Sequence, residues 1–315
     1  MAASKPLKST DRQNVIKKLL TELKKTYKGK PTSTDHSVME SLIFAACLEN
    51  SSFEAAEAAF QRLLDGFFDL NEIRVSSVDE IKLFLDDLPE ADWKAFRIRE
   101  ALHHVFETQF SFDMEALKRK TLDAASKELN AIAHQTSFIK NYVLQGSCSA
   151  HIIPVDQSML AALVWLGVTQ SDSTIDQAAD ELKGATKKAD APYICYLLKS
   201  LAVDERLAPA FQMIDDETDL SPDNAHKRLA DLIKNGPPKP SKKAAVKKAP
   251  AKQAAKPVKK AAKEATKTVT KKKPVKKTTK PSSAKVTGKK TTTKVTKKVT
   301  KKKPAKKATK STRRR

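Results

Sequence analysis

The charge of this chain is divided so sharply along its length that only part of it can fold around a core. From Pro237 to Arg315 there are 32 basic residues and one acidic residue, Glu264, a net charge of +31. Residues 31–236 carry 19 basic and 34 acidic residues, or −15, and Met1–Lys30 carry nine and two, or +7. The net charge of +23 over all 315 residues is thus the sum of unlike parts. The tail has almost no aromatic or large aliphatic residues and too much like charge to bury a core. Three regions are expected: a basic arm or helix over 1–30, a folded body over 31–236, and a tail over 237–315. At about 100–200 residues per domain, the body is one domain's worth of chain.

Other classes are set aside by pattern. No apolar run approaches the roughly 18 residues a spanning helix needs, so no membrane role is expected. The opening Met1-Ala-Ala-Ser-Lys-Pro lacks the apolar stretch of a secretory signal. Cys47, Cys148 and Cys195 are odd in number and far apart, which suits free thiols in a reducing compartment. The expected location is cytoplasmic and nucleoid-associated, or nuclear in a eukaryote.

The body is expected to be all-α. Glycine is rare, seven in the whole chain, and apolar residues recur at helical spacing. Val15, Leu19, Leu20 and Leu23 form one stripe; Val38, Leu42, Ile43, Ala46 and Cys47 form a second. Phe53, Ala56, Ala59, Phe60, Leu63 and Leu64 form a third, ended by Gly66. Ser76-Ser77 sits where an N-cap would precede Val78, Ile81 and Leu85, and Pro89 stops that segment. Trp93, Phe96, Ile98, Leu102, Val105 and Phe106 mark the next. Further segments fall near 124–131, 136–145, 157–166, 174–182, 191–201 and 222–232, and Gly236-Pro-Pro closes the body. About eleven helices with short connections predict a packed, two-lobed helical domain.

The tail is low-complexity Lys/Ala/Thr/Pro. Val269-Thr-Lys-Lys-Lys-Pro-Val-Lys-Lys and Val299-Thr-Lys-Lys-Lys-Pro-Ala-Lys-Lys nearly repeat, with Lys271, Lys272, Lys273, Lys301, Lys302 and Lys303 at their centres. Spaced prolines interrupt long helices and like charges repel, so the free tail is expected to be disordered and extended. Its natural partner is a polyanion. Duplex DNA offers one charge per about 1.7 Å of axis, and neutralising those phosphates releases counterions. No aromatic residues interleave the lysines, so base stacking on single strands is not indicated. The composition resembles linker-histone C-terminal tails and the lysine-rich tails of bacterial histone-like proteins. DNA is the first expectation; RNA or the ribosome is the second, and a solvated or membrane-facing charge run the third.

Strong catalytic signatures are missing from the body. It has no Gly-rich phosphate loop, no His-Glu-x-x-His and no cysteine pair at metal-ligand spacing. His103 and His104 are adjacent, so on a helix they point roughly 100° apart and do not chelate together. Cys148 and His151 lie close in sequence, but nothing nearby orients them as nucleophile and base.

One long stretch resembles a family. Leu129-Asn-Ala-Ile-Ala-His-Gln-Thr-Ser-Phe-Ile-Lys-Asn-Tyr-Val-Leu144, followed by Ile152-Ile-Pro-Val-Asp156-Gln-Ser-Met-Leu, is similar to the endonuclease III, helix-hairpin-helix/Gly-Pro-Asp superfamily of DNA glycosylases. Upstream, Glu40-Ser-Leu-Ile-Phe-Ala-Ala-Cys-Leu-Glu-Asn50-Ser-Ser resembles that family's Leu-Leu-x-Ala-x-Leu-Leu-Ser-Ala-Gln-Ala-Thr segment. The similarity spans roughly 36–215. It implies a two-lobed helical fold and a chemistry in which a base leaves the stack before its glycosidic bond is cut. It implies that Asp156 stabilises the developing cationic sugar or activates the nucleophile. Asn50 falls where the family has a Gln that fills the gap left by the flipped base. His134, Gln135 and Thr136 occupy the phosphate-binding hairpin, with His134 and Thr136 in place of its two glycines and Ala133 in place of its Pro. Phe138 stands where bifunctional members carry a lysine nucleophile. Lys140, the nearest lysine, is about 200° away around a helix from Phe138. The four iron–sulfur cysteines of many members are absent, so no cofactor or metal is expected.

Capping gives other expectations for the same residues. Asp156 directly precedes an apolar helix and suits an N-cap; Asn50 suits the end of a helix; Phe138 suits the core. Two functions follow. One is a DNA repair enzyme, a monofunctional glycosylase using Asp156 without lysine-dependent lyase activity, held on DNA by its tail. The other is a non-enzymatic nucleoid-associated protein whose tail compacts DNA and whose body is a scaffold for a protein partner not identified by the sequence. An acidic body repels DNA unless its few basic residues cluster; candidates are Arg97, Arg99, Lys118-Arg119-Lys120 and Lys187-Lys188. The arm adds Lys17, Lys18, Lys24, Lys25, Lys28 and Lys30 and, with the tail, raises the local concentration of DNA.

Overall fold

The computed structural model describes residues 8–29, 36–212 and 220–237. The lysine-rich repeats centred on Lys271–Lys273 and Lys301–Lys303 and most of the expected tail lie outside the described residues. Among the described residues there are helices and turns and no strand. The stripes of the sequence become α1 (Ser9–Thr26), α2 (Val38–Leu48) and α3 (Phe53–Gly66). Two short helices follow, α4 (Leu70–Val75) and α5 (Val78–Lys82), then the long α6 (Ala91–Gln109). A 3-10 turn at Glu115–Arg119 leads to α7 (Leu122–Ala131) and α8 (Ser137–Ser147). The chain continues through α9 (Gln157–Trp165), α10 (Ile175–Ala185), α11 (Ala191–Ala202), α12 (Ala208–Gln212) and α13 (Ala225–Asn235).

Side-chain caps set most of the boundaries. Ser37 and Ser77 each close a capping box, with Glu40 and Glu80 respectively, and Thr174 does the same with Gln177. Ser77, rather than Ser76, is the cap of α5. That helix stops at Lys82, well short of Pro89, and residues 83–90 form turns. The basic N-terminal segment, expected as an arm or helix, is in its described part a helix fixed to the body. Val15, Ile16, Leu19 and Leu23 of α1 are buried against α10, α11 and α13.

The principal helix contacts fall into two groups. In the first, α2 is the centre: it packs on α3, α6 and α8, while α6 also carries α4 and α5, and α7 packs on α8. All of α2 except Glu40 and Ser41 is buried, which explains why its sequence is apolar nearly all round. In the second, α1 packs with α10, α11 and α13, and α9 with α10, α11 and α12. The two groups belong to one compact unit. They meet through Phe53 against Tyr196, ring centres 5.2 Å apart, and through the polar cluster described next.

Candidate functional site

A buried lysine prepares the site. Lys94 of α6 is 1% exposed, and its Nζ donates to the carbonyls of Ala46 (3.1 Å), Cys47 (2.9 Å) and Glu49 (2.5 Å) and to Ser51 Oγ (3.3 Å). These include terminal carbonyls of α2, which have no partner within the helix. Burial pulls the Lys94 amine down to about 8. Beyond this cap the chain turns at Asn50, which adopts a left-handed φ of 54°. The turn aims the Asn50 N–H at Asp156 Oδ2, 2.9 Å away, while Asn50 Oδ1 accepts from the Ser158 N–H at 3.2 Å.

Asp156 is the N-cap of α9. Its Oδ1 accepts from the Met159 N–H at 2.9 Å and from Ser158 Oγ at 2.7 Å. Its Oδ2 accepts from the Asn50 N–H and from the Lys199 amine, which reaches across from α11 to form an ion pair. Both side chains of the pair are 0% exposed. Burial works to raise the Asp156 carboxyl. The charge and hydrogen bond of Lys199, the Met159 N–H and Ser158 together outweigh it and hold the carboxyl below its usual value. Lys199 Nζ also lies 5.1 Å from the centre of the Phe138 ring, which is itself buried. Neither Lys94 nor Lys199 is singled out by a sequence motif. Lys199 sits in a strongly apolar helix, Ile194-Cys-Tyr-Leu-Leu-Lys199, and a charge among buried residues was the signal that it needed a partner.

The hairpin between α7 and α8 holds the residues expected to meet phosphate. His134 takes a φ of 63° in the turn, at the position where the resemblance places a glycine. Its ring lies 5.1 Å from Phe96. Gln135 is buried and its Nε2 donates to the Arg97 carbonyl at 2.9 Å, tying the hairpin to α6. Thr136 is the N-cap of α8, accepting from the Ile139 N–H at 3.3 Å. Lys140 is half-buried on α8 and belongs to no ion pair among the described residues. Thus Asp156 and Asn50 are brought together at the seam, whereas Gln135 and Thr136 serve the hairpin's own geometry.

Neighbouring basic residues are largely neutralised. Arg97 pairs with Glu49 at 2.8 Å, Arg99 with Glu100 at 3.2 Å, Lys118 with Glu115 at 2.6 Å, and Lys120 with Glu128. Burial raises the Glu49 carboxyl above its ordinary value, against the opposing effects of Arg97 and Thr136.

The donor set does not fit an iron–sulfur cluster. Such clusters take four thiolate ligands, and the chain has three cysteines. Burial pushes the Cys47 and Cys195 thiols up to about 12, away from the thiolate form. Among the described residues no group of three or more His, Cys, Asp or Glu side chains is placed to hold a metal ion. No helix among them is long and apolar enough to cross a membrane.

No protein-family model matches the sequence, and no curated protein does. Solved structures do. Endonuclease III, trapped as a covalent DNA intermediate in an estranged-adenine complex, is 13% identical and has a TM-score of 0.50. That match covers 69% of this chain and 98% of the other. A Clostridium acetobutylicum 8-oxoguanine glycosylase/lyase bound to double-stranded DNA is 12% identical over 61% of this chain and 69% of its own, with a TM-score of 0.45. A 3-methyladenine DNA glycosylase of H. pylori bound to 1,N6-ethenoadenine is 18% identical over 71% and 97%, with a TM-score of 0.42. At these identities the likeness to endonuclease III establishes the fold: an all-helical, DNA glycosylase-like body.

Proposed function

We propose that this chain is a DNA-binding protein whose lysine-rich tail holds duplex DNA, and whose glycosylase-like body is a scaffold that does not excise bases. The observation that carries this reading is the state of Asp156. A carboxylate that stabilises a sugar cation or activates water must reach a nucleotide that has left the stack. Asp156 instead accepts four hydrogen bonds, from Met159, Ser158, Asn50 and Lys199, and is 1% exposed. Its work is to cap α9 and to join the two groups of helices. The fold that it shares with a DNA-bound endonuclease III supports DNA as the partner. The composition of the tail supports phosphate neutralisation as the mode, with 32 basic residues and one acidic residue from Pro237 onward.

The test is a salt titration of DNA affinity with the full chain and with residues 237–315 removed. The full chain is expected to bind duplexes of unrelated sequence alike. Its log affinity should fall steeply with log salt, by about 0.9 for each phosphate neutralised. Truncation should remove most of the affinity and flatten the slope. Unchanged affinity after truncation contradicts the assignment.

One observation favours a second reading. The Lys199 amine lies against Asp156 and over Phe138, the residue that stands where bifunctional glycosylases carry their lysine. In that reading a lysine from another helix supplies the missing amine. Attack on the sugar carbon would displace the base and leave a Schiff base, after the seam around the pair had opened. Borohydride reduction during incubation with damaged DNA separates the readings, since only the second leaves a covalent adduct on Lys199.

A further inference from the structure

We infer that α1 and the connection from α10 to α11 form a built phosphate-binding face on the body, a second contact for the backbone of duplex DNA beside the tail. The inference rests on the proposal that the protein binds DNA.

The face is assembled from two segments far apart in sequence. Gln13, Lys17, Leu20 and Lys24 follow one another along one side of α1, at the spacing that brings side chains into a row. The two ends of that row meet the elements on either side of one connection, the last turn of α10 and the first turn of α11. Gln13 Nε2 donates to the Gly184 carbonyl at 3.4 Å, and Lys24 Nζ lies 5.3 Å from the centre of the Tyr193 ring. Leu20 lies between them, in the apolar seam with Leu182, Ile194 and Leu198. The row's spacing therefore sets Lys17 on the side of α1 that faces the end of α10, with Lys183, and the connection, with Lys187 and Lys188. All five lysines are exposed, and none of them forms an ion pair among the described residues.

On the hairpin side Arg97, Arg99, Lys118 and Lys120 have carboxylate partners, which leaves Arg119, Lys127 and Lys140 without an ion pair among the described residues. The acids near the lysine face are few. Glu181 is held by Arg12 at 2.8 Å. Glu22 is paired with Lys25 and lies on the opposite side of α1 from Gln13. Asp176, Asp180 and Asp190 remain, against five lysines. Residues 1–236 together carry −8, and uncompensated lysines gathered on one side attract a polyanion there. Lys199 and Tyr193 are six residues apart on α11, roughly 120° around the helix, so the face is separate from the sealed pair. Exposed lysines with no base-reading partners suit the phosphate backbone, which positions a protein without selecting sequence.

The experiment is lysine acetylation of the full chain, read residue by residue, with and without a duplex of random sequence. Lys17, Lys24, Lys183, Lys187 and Lys188 are expected to be protected several-fold along with the tail lysines, while Lys82, paired with Asp92 in the other group of helices, keeps its reactivity. Protection confined to the tail overturns the face and leaves the proposed function standing; protection of neither overturns both. As a second measurement, the full chain with K17E, K24E, K187E and K188E should lose about 0.9 from its salt slope for each phosphate contact removed. An unchanged slope overturns the face.

Discussion

Lys199 and Asp156 form an ion pair in which both side chains are fully buried; the pair joins α11 to the start of α9 within the second group of helices, at the seam where the Asn50 N–H of the first group meets Asp156. Asn50 and Ser158 close the remaining directions around the carboxylate. The residue that the family resemblance marks as catalytic is thereby the best-satisfied carboxylate at the seam.

Removing one partner strands the other charge in a dry interior. Lys199→Met alone, or Asp156→Asn alone, is expected to cost about 3–5 kcal/mol of stability. The double variant should recover much of that loss, because two groups of similar shape then meet without charge. Urea unfolding of the four proteins measures the coupling. Losses that simply add would show that the pair does not act as a unit.

Acid should act through the same carboxylate. Lys199 and the hydrogen bonds from Met159 and Ser158 hold the Asp156 carboxyl below its unfolded value of about 3.9. The native state therefore binds this proton less readily than the unfolded chain. Its contribution is complete above that value and declines as the pH falls through the lower folded value. The stability difference between the parent and Asp156→Asn should shrink below about pH 4. A difference that stays constant into strong acid would contradict the assignment.

Lys94 holds the end of α2 that carries Asn50. Lys94→Met keeps the stem and removes the donor. The expected loss is about 1–3 kcal/mol for each buried acceptor left without a partner. Because the turn at Asn50 loosens, amide exchange at the Asn50 N–H should also accelerate relative to the centre of α2. Uniform acceleration across the helix would argue against a local cap.

The hairpin offers a backbone test. His134 holds a φ of 63°, a conformation that disfavours side chains branched at Cβ. His134→Val should destabilise the body by roughly 1–3 kcal/mol, while His134→Gly should be tolerated. Equal effects of the two would mean that the ring contact with Phe96, rather than the backbone, sets the cost.

Much of the fold is visible in the sequence because its helices are amphipathic and capped. Ser37, Ser77, Thr136, Asp156 and Thr174 each sit at the start of an apolar run and cap it. The short helices α4 and α12 escape, since α4 buries only Ile73 and α12 only Ala210 and Phe211, too few residues to define a period. The site was half legible. The expectation of an N-cap at Asp156 and of a helix end near Asn50 followed from local rules, and the structure has both. Lys94 and Lys199 were not legible, because their partners lie 43 to 48 residues away in sequence and no local pattern names them. The approach of Gln13 to Gly184 and of Lys24 to Tyr193 was hidden for the same reason: α1 meets α10 and α11 only after the chain has folded back.

The decisive measurement is incubation of the full chain with a panel of duplexes, each carrying a single damaged base. Abasic sites are scored, and a parallel reaction contains borohydride. A sealed Asp156 predicts firm DNA binding with no abasic sites and no covalent adduct. Abasic sites that disappear with Asp156→Asn, or a reduced adduct mapped to Lys199, would contradict the scaffold and make the body an enzyme.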